Sequence, residues 1–119
     1  EQPHATLVHC AAGKDRTGFA IAMLLRAIGI VREDVMADYL LSNASFDTAR
    51  VRFNVGGRLD AVEARAPGAV AALVGVHPHY LEAAEQRIED DFAGIDAWLE
   101  RYAGLGAEQR KRLADRLLA

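Results

Sequence analysis

Apolar and polar positions change their spacing once along this chain, just after residue 10. Before that point lies a short apolar run, Ala5-Thr6-Leu7-Val8-His9. Its length, and the glycine-containing loop that follows, predict a buried strand. From Thr17 onward the apolar positions recur at helical spacing. Thr17 to Ile28 (TGFAIAMLLRAI) is apolar almost all round, with Arg26 its only charge, and predicts a helix buried on most sides. Gly29 stands at its C′ position. Arg32 to about Phe46 reads as the next helix, with Glu33 and Asp34 in its first turn, where the helix dipole favours them. Its inward stripe is Val35, Met36, Tyr39, Leu40 and Phe46.

Between Asp47 and Gly68 the periodicity weakens. Gly56-Gly57 breaks any regular element, and Leu59 to Arg65 is a short helical piece. Segments of this length in compact domains are often functional, so 47–68 is a candidate lid or insertion loop. Ala69 to Val76 fits helix or strand, and its alanines favour helix. Pro78 suits the first turn of a helix over His79 to Phe92, with Tyr80, Leu81, Ala84, Ile88 and Phe92 at spacings of three and four. Gly94 stops it. Ile95, Trp98, Leu99 and Tyr102 mark a further helix ending at Gly104. Ala107 to Leu118 closes the chain with Leu113 and Leu117 inward, and Arg110, Lys111, Arg112 and Arg116 outward. The expected chain is therefore mostly α, one β-strand followed by about five or six helices. A lone strand leaves its backbone groups unpaired. An upstream segment or a second chain is expected to complete the sheet.

Composition adds limits. The chain has 119 residues, the length of one domain, and 51% of them are apolar, enough for a core. A net charge of −3 gives no electrostatic footprint for nucleic acid or an anionic membrane. No apolar run approaches the roughly 18 residues of a membrane span. Cys10 is the single cysteine, so no internal disulfide is available, which favours a cytoplasmic over a secreted setting. Arginine outnumbers lysine twelve to two, and Lys14 stands out for that reason.

The candidate chemistry lies between the strand and the first helix, in His9-Cys10-Ala11-Ala12-Gly13-Lys14-Asp15-Arg16-Thr17-Gly18. A strand, a loop and a helix N-terminus bring backbone N–H groups together on an oxyanion. A thiol in that setting, near Lys14 and Arg16, should be held below its ordinary pKa of about 8.5. Arg16 offers a planar fork of donors that matches two phosphoryl oxygens. Gly13 allows the turn, and Gly18 allows close approach of the helix. Thr17 can donate to the thiolate. Attack of Cys10 on phosphorus, then release of phosphate by water, follows from these parts.

These ten residues match the protein tyrosine phosphatase signature H-C-x5-R-S/T-G. With Lys14 and Asp15 the loop resembles that of atypical bacterial tyrosine and phosphoinositide phosphatases, HCxAGKDRTG. Arg32 to Val35, Asp38 to Asn43, Tyr80 to Ala84 and Gly94 to Leu99 are similar to the segments after the loop in that family. The resemblance implies an α/β domain of which residues 1–119 are the C-terminal part, the preceding strands of the sheet lying upstream of the loop. It implies Cys10 as nucleophile, Arg16 as phosphoryl ligand, and Ala11, Ala12, Gly13, Lys14, Thr17 and Gly18 as the phosphate cradle, without metal or cofactor. His9 would support the cysteine through hydrogen bonds, or is a core histidine. Lys14 would serve a second phosphate, or is solvated. By position Asp15 would be the general acid, since the usual upstream aspartate is absent; a salt-bridge partner or an N-cap are its other readings. Like charge from a bound phosphate favours a protonated carboxyl.

The substrate expected on these grounds is a phosphorylated protein or a phosphoinositide. A phosphate-binding piece without turnover is the alternative. The arsenate reductase or low-molecular-weight phosphatase type ranks last, because helices rather than alternating strands follow the loop. His77-Pro78-His79 reads as a polar turn rather than a metal site, and Arg50, Arg52, Arg58 and Arg65 as a solvated face.

Overall fold

The computed structural model describes residues 5–45 and 57–119. Phe46, Arg50, Arg52 and the first part of the candidate lid lie outside the described residues. Among the described residues eight helices follow the thiol: α1 (Asp15–Ala27), α2 (Arg32–Leu40), α3 (Ser42–Ser45), α4 (Arg58–Arg65), α5 (Ala69–Val74), α6 (Pro78–Phe92), α7 (Ile95–Ala103) and α8 (Ala107–Leu117). None is long and apolar enough to cross a membrane.

Three expectations need correction. Among the described residues there is no strand: Ala5 to His9 is exposed, with Leu7 at 84% of its full accessibility. A strand exists only through the ladder it makes with a neighbour, and no described segment offers one. The helix expected over 32–46 is two helices, because Leu41 N–H is shared between the Ala37 and Asp38 carbonyls and the turn tightens there. Leu117 is exposed rather than inward, and α8 holds no buried residue. Its tie to α7 is polar instead, an ion pair between Arg110 and Asp96.

The core gathers around α1. Ala22, Met23 and Ala27 meet Val35 and Tyr39 of α2, Leu81 and Ile88 of α6, and Ile95 and Leu99 of α7. Phe19 and Trp98 close one side of it edge to face, with ring centroids 5.9 Å apart. Burial of α1 is one-sided, however: Ala20 is exposed and Ile21, Leu24 and Leu25 are only partly covered. Its C-terminus is fixed by paired bonds, Gly29 N–H to Arg26 O and Ile30 N–H to Leu25 O. These are the two bonds of the Schellman motif. At the N-terminus of α2, Arg32 Nε donates to Glu85 Oε2 at 2.9 Å, tying α2 to α6.

What positions the loop is the contact of α1 with α2 at Gly18. A Cβ on Gly18 would lie 2.8 and 2.9 Å from two ring carbons of Tyr39, which is itself only 5% exposed. The first turn of α1 therefore lies directly on a buried aromatic ring. In Gly18→Ala, alanine's better helix propensity gains about 1 kcal/mol, against roughly 1–3 kcal/mol for overpacking. Net destabilisation is expected in a urea titration. In a Tyr39→Leu background, which removes the ring, the same substitution should become neutral or stabilising.

Candidate active site

Two facts of the backbone make the loop. Gly13 has φ +72° with nothing within 4 Å of where its Cβ would be, so glycine is needed there for its conformation rather than for space. Gly18 N–H donates to Lys14 O at 2.9 Å, closing the first turn of α1. Over residues 10–13 the chain turns back, so that Gly13 N–H donates to Cys10 Sγ at 3.2 Å.

Cys10 is partly exposed. The Thr17 hydroxyl first, then the Thr17 N–H, and then the Gly13 and Ala12 N–H groups hold its thiol down, from 9.0 to about 6; the little desolvation it suffers works the other way. The hydroxyl's influence comes from proximity and dipole. Thr17 Oγ1 is buried and makes no hydrogen bond of ordinary geometry among the described residues. At neutral pH the sulfur is mostly thiolate, the form that attacks. The sequence predicts this depression from the helix N-terminus, the backbone amides and the nearby Lys14 and Arg16; the causes found are backbone N–H groups and one hydroxyl, with neither cation among them.

The remaining loop residues divide into two groups. Ala11, Ala12, Gly13 and Arg16 face solvent around the thiol. Arg16 makes no ion pair or hydrogen bond among the described residues, which leaves its donor fork available to an anion. Asp15 is the first residue of α1, and its side chain is 55% exposed. Of its three readings, the salt bridge is present, to Lys14 at 2.8 Å. It is not the N-cap, a place held by Lys14 without a side-chain cap bond.

His9 and Lys14 depart from expectation. His9 is exposed, and no hydrogen bond joins it to Cys10 among the described residues; the thiol's partner is the Gly13 N–H. Lys14 is not solvated. It is 6% exposed, and its ammonium donates to Asp15 Oδ1 at 2.8 Å and to Gly75 O at 3.0 Å. A buried ammonium is tolerable only when so paired.

An apolar hollow of about 330 Å³ adjoins the loop, lined by Asp15, Arg16, Phe19, Tyr39, Tyr80, Leu81 and Ala84. A larger cleft, about 620 Å³, lies between Arg26, Arg32 and the Glu82 to Glu89 face of α6. No loop residue lines it, so it is separate from this site. His77 and His79 are engaged locally. The His77 ring nitrogen accepts from His79 N–H as the cap of α6, and His79 pairs with Glu82.

Sequence reasoning missed Asn43, whose amide makes two bonds to Val76: Nδ2 donates to its carbonyl at 3.0 Å, and Oδ1 accepts its N–H at 2.8 Å. No spacing rule links residues 33 positions apart, and only the fold brings them together.

The comparisons with known proteins agree with this geometry. Residues 1–119 match the profile of the tyrosine phosphatase family. The chain is 37% identical over 122 residues to the triple specificity protein phosphatase PtpB of Mycobacterium tuberculosis, covering 94% of this chain and 43% of that protein. It is 37% identical over 96 residues to a protein of Cupriavidus necator named as a candidate tyrosine-protein phosphatase, covering 78% of this chain and 33% of that one. A tyrosine-protein phosphatase of Nostoc commune matches over a shorter stretch, 40% over 42 residues. The chain thus spans less than half the length of the curated relatives it matches. With the family profile covering it from end to end, the chain belongs to the tyrosine phosphatase family.

Proposed function

We propose that this chain carries the catalytic loop of a cysteine-dependent phosphatase acting on phosphotyrosine and related phosphomonoesters. The observation that carries the reading is Cys10 with a thiol lowered to about 6 and Gly13 N–H on its sulfur, at the N-terminus of a 13-residue helix. Such a site holds one anion now and can hold a phosphate above it. Arg16, with its donors unengaged, grips two non-bridging oxygens. The Cys10 thiolate attacks phosphorus, an S–P bond forms and the ester P–O bond breaks. Asp15 gives its proton to the departing oxygen. Water then attacks phosphorus, its proton passes to Asp15, and the S–P bond breaks to return the thiolate and free phosphate. No step draws on a metal or cofactor.

The apolar hollow beside Asp15 and Arg16 suits the aryl group of a phosphotyrosine. A relative whose name carries triple specificity supports including phosphoserine/threonine and phosphoinositide esters in the substrate class. The exposed run Ala5 to His9, with Leu7 nearly fully accessible, pairs with strands supplied by an upstream segment or a second chain. Phosphate binding without turnover by the 119 residues alone, and turnover once those strands are supplied, is the outcome that pairing predicts.

Two measurements test the chemistry. Cys10→Ser should abolish hydrolysis of an aryl phosphate, vanadate should block it, and a chelator should leave it unchanged. Full hydrolysis by the serine variant rules out the covalent route. Alkylation of Cys10 by iodoacetamide should rise with pH to a midpoint near 6 and level off above it, because the lowered pKa fills the thiolate form there. Thr17→Val removes the largest cause of the shift, so the midpoint should move up towards the ordinary thiol range near 8.5.

A further inference from the structure

We infer that Asn43 is a positioning residue for the phosphatase reaction, acting through Gly75 and Lys14 on the carboxyl of Asp15. The inference rests on the proposed role of Asp15 and extends it to residues outside the loop. The chain of contacts is continuous. Asn43 makes both amide bonds to Val76, at 2.8 and 3.0 Å, pairing with its backbone as a neighbouring strand would. Gly75, one residue earlier, lies so close that a Cβ there would be 3.1 Å from Asn43 Oδ1 and 3.1 Å from Ala71 O. Its carbonyl accepts the Lys14 ammonium at 3.0 Å, and the same ammonium holds Asp15 Oδ1 at 2.8 Å.

Each link depends on the one before it. Asp15 is half exposed, and Lys14 is its hydrogen-bond partner among the described residues, so the lysine helps to fix its rotamer. Lys14 is buried, and among the described residues Gly75 O is its one acceptor outside the loop, 61 residues away. The Gly75 carbonyl sits in a short connection between α5 and α6, where Asn43 Oδ1 accepts the N–H of the same peptide group, that of Val76. Losing the amide frees that connection, withdraws the carbonyl from Lys14 and loosens Asp15. The thiol is not in this chain: its partners are Thr17, Gly13 and Ala12. Disturbing Asn43 should therefore impair proton delivery to the leaving group and leave the nucleophile as it is.

Leaving-group dependence separates these effects. In the whole protein, kcat/KM, which reports the steps up to departure of the leaving group and not the later attack of water, is measured on phenyl phosphate, whose leaving oxygen needs a proton, and on p-nitrophenyl phosphate, which departs readily without one. Asn43→Ala, Lys14→Met and Asp15→Asn should each lower kcat/KM on phenyl phosphate about tenfold or more, general acid catalysis supplying about 10²–10⁴. On p-nitrophenyl phosphate each loss in kcat/KM should be several-fold smaller, and Asn43→Ala should add nothing in the Asp15→Asn background. The alkylation midpoint of Cys10 should stay near 6 in all three, showing the loop intact. Asn43→Asp keeps the acceptor for Val76 N–H but sets a carboxylate oxygen against Val76 O. It should reproduce the selective loss if the alanine variant fails to fold. Equal losses on both substrates, or none, for Asn43 variants beside a selective Asp15→Asn overturn the positioning role and leave Asn43 a structural clip. A non-selective Asp15→Asn overturns the role of Asp15, and the inference with it.

Discussion

A negative sulfur under the first turn of α1 is the interaction on which the rest of this structure depends. Thiolate is the minority form of a free cysteine at neutral pH. Here N–H groups from Thr17, Gly13 and Ala12, together with the Thr17 hydroxyl, make it the majority form. Those N–H groups converge only because Gly13 turns with a positive φ and because α1 begins at Asp15. The helix, in turn, is held where it is by a buried ring: Tyr39 lies against Gly18 at a distance that leaves no room for a side chain. Thiol, turn and core contact are thus one mechanical unit. The apolar residues of α1, α2, α6 and α7 fix the direction in which a single helix end points.

The charges of the loop are arranged differently from what their identities suggest. Three of its residues carry charge, and only Arg16 is left with unengaged donors facing solvent. Lys14 is turned away from solvent into an ion pair with Asp15 and a bond to a distant carbonyl. A lysine and an arginine two positions apart in sequence therefore do different work. The guanidinium suits bidentate recognition of a phosphoryl group. The ammonium, a compact point donor, cross-links the loop to the connection before α6 and pairs with an exposed carboxylate.

Much of this was legible in the sequence, and the exceptions have physical causes. Helix positions followed the apolar periodicity closely, including the short Arg58–Arg65 and Ala69–Val74 pieces, and Gly29, Pro78, Gly94 and Gly104 marked ends as read. The family was legible because a thiol, a glycine and a guanidinium at fixed spacing have few other uses. The strand was not, because strand formation is a property of a pair and the described residues supply no partner. Burial of Lys14 and the reach of Asn43 to Val76 were invisible for a related reason. Both are contacts across more than thirty positions, which no local pattern encodes. Likewise α1 looked buried on most sides, because its composition is apolar almost all round. One face remains partly uncovered among the residues described.

The central claim is that Cys10 itself takes the phosphoryl group. The most direct test is rapid acid quenching of the whole protein during turnover of an aryl phosphate, followed by mass spectrometry of the peptide that contains Cys10. A phosphoryl group on the Cys10 sulfur, absent when substrate is omitted, is the predicted result. Turnover with phosphate found on another residue, or on none at any quench time, would contradict it.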